Sequence, residues 1–163
     1  MTATNECQRS KETRQVATSS EAETFQLGYQ FAREIAAPAM VILQGELGTG
    51  KTVFVRGLAA GLDIEPNEVS SPSFTLINLY RGRIDLYHID LYRIPEGEPI
   101  EDQLGLREIL AQEAVVAIEW GDRLKPQWRE RGWLVSLFWV AEHRREITIS
   151  RLGRNESDQH ISK

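Results

Sequence analysis

The chain has 163 residues, an ordinary balance of apolar and charged side chains and a formal charge of −5 at neutral pH. That length fits one domain with a core of its own, and the mild acidity argues against a broad nucleic-acid-binding face. The single cysteine, Cys7, excludes an internal disulfide or a cysteine zinc site, and no apolar run reaches the roughly 18 residues of a membrane helix. The polar N-terminal stretch lacks the apolar segment of a signal peptide, so the expected setting is a reducing cytoplasm.

Residues 1 to about 15 are polar and poor in large apolar side chains. They are expected to belong to a flexible extension spanning 1–17. Thr18-Ser19-Ser20-Glu21 then has the form of a helix start, a hydroxyl cap followed by acidic residues that favour the positive end of the helix dipole. The helix carries Phe25, Leu27, Phe31, Ala32 and Ile35 on or near its apolar face and ends before Pro38. Ala39-Met40-Val41-Ile42-Leu43 is a short apolar run suited to a buried strand. A second helix follows from about Gly50 to Ala60, with Gly61 placed to stop it.

Between that strand and helix stands Gly45-Glu46-Leu47-Gly48-Thr49-Gly50-Lys51-Thr52, the G-x-x-x-x-G-K-T spacing of a phosphate-binding P-loop. Glycines let the backbone curl so that several N–H groups point at one phosphate. The pattern assigns Lys51 to the β/γ-phosphates and the Thr52 hydroxyl to Mg²⁺. Strand, loop and helix supply the context the motif requires, against the bland reading of a chance glycine-rich turn.

Beyond a loop at Glu65–Pro72, residues 74–80 and 84–90 have strand composition around Arg81-Gly82-Arg83 and read as an antiparallel hairpin. Residues 94–99 form a Pro/Gly loop, and 101–110 a short helix with Leu104, Leu106, Ile109 and Leu110 turned inward. Ala114-Val115-Val116-Ala117-Ile118 is a second buried strand, ending at Glu119-Trp120. Residues 133–140 and 146–152 form a second hairpin, and the polar tail at 154–163 is expected to fray. The sum is an α/β domain over 18–153 with a mixed central sheet, a parallel core and appended antiparallel hairpins. Ligands of such sheets sit at the carboxyl ends of the parallel strands, where both the P-loop and Glu119 fall.

Nucleotide hydrolysis also needs a carboxylate for the metal and its waters. Glu119 has the Walker B position, although a solvated strand-end glutamate gives the same local pattern. Ser70–Thr75 is a hydroxyl-rich loop that an ordinary turn also explains. His88, Asp90 and Tyr92 share one face of a strand and read either as chemistry or as the polar side of an edge strand.

Taken in order, GELGTGKT, SPSFTLINLY, HIDLYR and IEWGDRL resemble the bacterial TsaE family, P-loop ATPases required for threonylcarbamoyladenosine in tRNA. The resemblance runs from about Thr18 to Gly153 and implies a P-loop NTPase-like three-layer α/β/α sandwich. It implies ATP and Mg²⁺ as cofactors, with Gly45, Glu46, Leu47, Gly48, Thr49, Gly50, Lys51 and Thr52 on the phosphates. Thr52, Asp90 and Glu119 are the implied metal ligands, and Lys51, Asp90 and Glu119 the catalytic set. Ser71 to Thr75 is the implied switch-I-like loop, with Thr75 toward the nucleotide, and His88 and Asp90 the switch-II-like segment. Trp120 is the family companion of Glu119. Glu21 and Arg145 border the adenosine side, with Arg144 an alternative to Arg145.

The implied partners are a TsaD-type transferase and a TsaB-type scaffold, with tRNA engaged only indirectly. Hydrolysis is expected to be weak without partners, Arg93 and Arg145 being the only candidate arginine fingers. Ser73 where the family has Thr, Val53 where it has a second Thr, and Glu46 where Asp is common remove no ligand. A small-molecule kinase and a nucleotide-gated interaction module without hydrolysis are the alternatives. The kinase needs an arginine-bearing lid, for which residues 94–113 are short and poor in arginine.

Overall fold

The computed structural model describes residues 13–72, 75–129 and 132–153. In chain order its elements are β1 (Thr13–Thr18), α1 (Glu21–Glu34), β2 (Ala39–Gln44), α2 (Lys51–Gly61), β3 (Ile77–Tyr80), β4 (Asp85–Asp90) and α3 (Ile100–Leu104). There follow α4 (Leu106–Leu110), β5 (Ala114–Glu119), α5 (Pro126–Arg129), β6 (Gly132–Ala141) and β7 (Arg144–Leu152). The strands make one sheet in the order β1-β7-β6-β2-β5-β4-β3. Strands β4, β5, β2 and β6 run parallel, and the β3–β4 and β6–β7 pairs are antiparallel.

Strand periodicity sorts the apolar side chains onto two faces. Val41, Leu43, Leu86, Val115, Ala117, Val135 and Leu137 pack with Phe31, Phe54 and Leu58 of α1 and α2. Met40, Ile42, Ile89, Val116 and Ile118 face the other way, onto Leu91, Ile100, Leu106, Ile109 and Leu124. The result is the expected three-layer α/β sandwich, with a mixed sheet covered on both sides.

Helix α1 begins where its chemistry places it: Ser20 caps it by accepting from the Glu23 N–H at 3.1 Å, with Glu21 and Glu23 in the first turn. Its contact with α2 is unusually close. A Cβ on Gly28 would stand 2.3 Å from the Phe54 carbonyl oxygen, and one on Gly57 would stand 2.0 Å from that of Phe25. The backbones approach each other because these positions carry no side chain.

Two expectations are corrected. The segment before Thr18 is not all loose extension, because Thr13–Thr18 pairs antiparallel with β7. Its side chains are mostly exposed, so polar composition concealed a strand that only tertiary pairing reveals. The helix expected over 101–110 is two short helices, separated at Gly105, whose φ of 65° is left-handed. Residues 1–12 and the expected tail at 154–163 lie outside the described residues. Among those described, no helix is long and apolar enough to cross a membrane.

Gly57→Ala is expected to destabilise the fold by about 1–3 kcal/mol, because the added methyl meets backbone and not a flexible side chain. Urea unfolding of both proteins, with a lowered midpoint and an unchanged slope, measures it.

Candidate functional site

A cavity of about 420 Å³ opens at the carboxyl ends of the parallel strands. The register of the sheet builds it. Leu43 of β2 is paired with Glu119 of β5, and Glu119 with Asp90 of β4, so three parallel strands end at one level. Leu43 leads directly into the P-loop. Glu119, His88 and Asp90 share parity with Ala117 and Leu86, which puts them on the α1–α2 face of the sheet.

The loop positions its groups through its glycines. Gly45, Gly48 and Gly50 have φ of 152°, 81° and 102°, and a Cβ on Gly45 would sit 2.6 Å from the Leu137 carbonyl oxygen. No side chain caps α2 at Gly50. The first-turn N–H groups therefore have no intrahelical acceptor and present a local positive potential. Thr49 closes the loop internally, its hydroxyl donating to the Glu46 carbonyl at 2.8 Å.

Lys51 is folded back over the loop, its ammonium donating to the carbonyls of Gly45 at 2.6 Å and Glu46 at 2.9 Å. The same Nζ lies 4.7 Å from the centre of the Trp120 ring. Burial pushes its pKa below the usual lysine value, while the charges of Glu119 and Asp90 oppose that shift.

Opposite the lysine, the carboxylates are held by specific donors. Thr52 Oγ1 donates to Glu119 Oε1 at 3.2 Å, and His88 Nε2 lies 2.8 Å from Glu119 Oε2. Both His88 and Glu119 are buried, and His88 Nδ1 has no hydrogen-bond partner. Asp90 accepts from the Ser71 hydroxyl at 2.9 Å and from the Tyr92 N–H at 3.0 Å. Trp120 follows Glu119 in a left-handed conformation, φ 60°, and packs against Tyr92 with ring centres 5.1 Å apart. For a large aromatic residue that backbone costs on the order of 1–2 kcal/mol, so its placement is imposed by the surroundings.

The structure brings Glu21, Leu47, Gly48, Gly50, Lys51, Thr52, Asp90, Glu119 and Arg145 to the cavity wall. Gly45, Glu46 and Thr49 shape the loop without lining the cavity. His88 stands behind Glu119. Arg145 is buried and lines the cavity while Arg144 is exposed, which separates the two alternatives. Thr75 is not at the wall; its hydroxyl bonds the Ile77 carbonyl and the Asn78 side chain. Ser73 and Phe74 of the same expected loop lie outside the described residues. Leu76 and Tyr92 line the cavity without having been singled out as ligands. For Tyr92 the signal was present, in its spacing from His88 and Asp90.

Thr52, Asp90 and Glu119 do not form a closed metal site by themselves. Among the described residues no three His, Cys, Asp or Glu side chains cluster to hold an ion. Two carboxylates and a hydroxyl are hard oxygen donors, the minimal protein set for Mg²⁺ that keeps waters and shares phosphate oxygens. The residues fit that ion arriving with a polyphosphate.

The family described as "TsaE: Threonylcarbamoyl adenosine biosynthesis protein TsaE" matches residues 18–148. The chain belongs to the TsaE family. TsaE proteins take part in tRNA threonylcarbamoyladenosine biosynthesis, as the names of its relatives state. The tRNA threonylcarbamoyladenosine biosynthesis protein TsaE of Treponema pallidum (strain Nichols) is 41% identical over 128 residues, 78% of this chain and 93% of that protein. The TsaE of Bacillus subtilis (strain 168) is 37% identical over 120 residues, 72% and 73% of the two chains. The crystal structure of YdiB from Bacillus subtilis superposes with a TM-score of 0.71 at 27% identity, covering 88% of each chain.

Removing the Glu119 side chain leaves the buried imidazole of His88 without a partner on either nitrogen. Glu119→Ala is therefore expected to lose about 1–3 kcal/mol of stability. Glu119→Gln, which preserves shape and hydrogen bonding, is expected to keep most of it. Parallel denaturant titrations distinguish the two.

Proposed function

We propose that the chain is a Mg²⁺-dependent ATP hydrolase that supports tRNA threonylcarbamoyladenosine modification in the cytoplasm by acting on a TsaD-type transferase and its TsaB-type scaffold. The observation that carries this reading is the Thr52–Glu119 contact of 3.2 Å, a P-loop hydroxyl and a strand-end carboxylate converging beside an uncapped helix start. The family membership supplies the pathway.

In this reading the N–H groups of the loop and the first turn of α2 receive the phosphates. Lys51 leaves its two carbonyl acceptors and turns to the β/γ oxygens, a motion favoured because a polyphosphate offers a stronger anionic partner. Thr52, Asp90 and Glu119 would hold Mg²⁺, which supplies charge neutralisation at the phosphates when bound. Glu119 orients the attacking water, and His88 fixes the rotamer of that carboxylate. Water adds at the γ-phosphorus as the bond to the β–γ bridging oxygen breaks, giving ADP and phosphate.

The exposed loops around the cavity support an output directed at other proteins. Ser71 is bonded to Asp90, so occupancy of the metal position would alter the anchoring of Ser71. The short helices α3 and α4 hold a single arginine, Arg107, and line no part of the cavity. A phosphoacceptor lid is not what they resemble.

Lys51→Ala is expected to abolish MgATP binding, and Glu119→Gln to bind MgATP with turnover reduced at least 100-fold. Calorimetric titration with a phosphate-release assay, run with and without the transferase and scaffold, reads both. Full hydrolysis by the Glu119 variant overturns the assignment.

A further inference from the structure

One cation at the cavity has a support that the hydrolytic machinery does not explain. Arg145 stands directly opposite Trp139 in the β6–β7 pair, and its Cζ lies 4.3 Å from the centre of the indole ring. On its other side the same residue is paired with Thr18 of β1, so its backbone is held from both flanks. Arg145 is 9% exposed while Trp139 is 43% exposed, which makes the indole an outer plate over a largely buried guanidinium.

That guanidinium is incompletely satisfied. Its Nε is buried and has no hydrogen-bond partner, and among the described residues no carboxylate pairs with it. A Cβ built on Gly50 would stand 3.5 Å from the same Nε, so the group lies against the last glycine of the P-loop. A desolvated cation without a counter-ion is costly unless a π face or a ligand compensates it. The carboxylates that act on Lys51 are Glu119 and Asp90, at the hydrolytic end. Arg145 shares the cavity wall with Glu21 at the start of α1.

We propose that Trp139 is a positioning residue for nucleotide recognition, holding the Arg145 guanidinium at the Glu21 side of the cavity, where it meets the nucleoside part of the ligand. An arginine has several rotatable bonds, and stacking on a fixed indole removes most of that freedom before the ligand arrives. The inference rests on the nucleotide reading above, and goes beyond it by assigning a residue outside the cavity wall. Trp139 does not line the cavity where Lys51, Thr52, Asp90 and Glu119 converge, so its effect falls on affinity and not on the hydrolytic step.

The test is calorimetric titration of the full chain with MgATP and, separately, with magnesium tripolyphosphate, which lacks the nucleoside. Wild type, Trp139→Ala, Trp139→Phe, Arg145→Ala and the Trp139→Ala/Arg145→Ala double variant are compared, with thermal melts as a folding control. Trp139→Ala is expected to weaken MgATP binding about 3- to 10-fold and Trp139→Phe to restore it to within about twofold. The double variant is expected to bind no more weakly than Arg145→Ala alone, and each Trp139 variant to lose less affinity for tripolyphosphate than for MgATP. Additive losses in the double variant, equal losses for tripolyphosphate, or wild-type affinity in Trp139→Ala each overturn the proposal. Absence of MgATP binding by the wild type overturns the nucleotide reading itself, a result none of the other outcomes produces.

Discussion

The site depends on the register of three parallel strands. Because Leu43, Glu119 and Asp90 are neighbours across β2, β5 and β4, the P-loop and both carboxylates leave the sheet at the same height. A slip of one residue in β5 would turn Glu119 to the α3–α4 side and put Ile118 in its place. The core forbids that slip: all six residues of β5 are buried, and the small Ala117 and the larger Ile118 belong to different packing surfaces. Apolar packing thus sets the position of charged groups that have no strong preference of their own.

Charge balance then shapes what the cavity accepts. Lys51 faces Glu119 and Asp90, so that end of the cavity carries more carboxylate than ammonium in the side chains that converge there. A bare polyphosphate would meet the helix start and the lysine favourably but the two carboxylates unfavourably. A divalent cation between them would resolve the conflict, in keeping with hard oxygen donors too few to hold the ion alone. A metal–nucleotide pair, the ligand proposed above, would balance these charges better than either component alone.

Much of this was legible in the residues. The P-loop spacing, the buried strand ending at Glu119 and both hairpins could be read directly, because each is a local pattern with one physical cause. What was not legible depends on distant partners. Thr13–Thr18 looks like a polar extension until β7 is present to bond it. Nothing adjacent to Arg145 in the chain distinguishes it from Arg144; only the alternation of β7 turns the first inward and the second to solvent. Trp139 reads as one apolar residue of a hairpin, and its stack on Arg145 exists only once β6 and β7 pair. Thr75, placed near the nucleotide by resemblance, instead satisfies its own turn, a local competition that a motif does not reveal.

The glycine contacts between α1 and α2 have a mechanical consequence for the cavity. With Gly28 against Phe54 and Gly57 against Phe25, the two helices are seated backbone to backbone, and Glu21 and Lys51 both project from their starting turns. That side is the more rigid jaw, because at the two glycines backbone meets backbone with no side chain between to repack. The facing side is formed by Ser71, Leu76 and Tyr92, with Ser71 and Tyr92 bonded to Asp90 and Tyr92 packed on Trp120. An adjustment to a change of occupant would fall more easily on that facing side than on the close-packed helix pair. Such a bias would give the cavity a preferred direction of adjustment that is built into the packing of the chain itself.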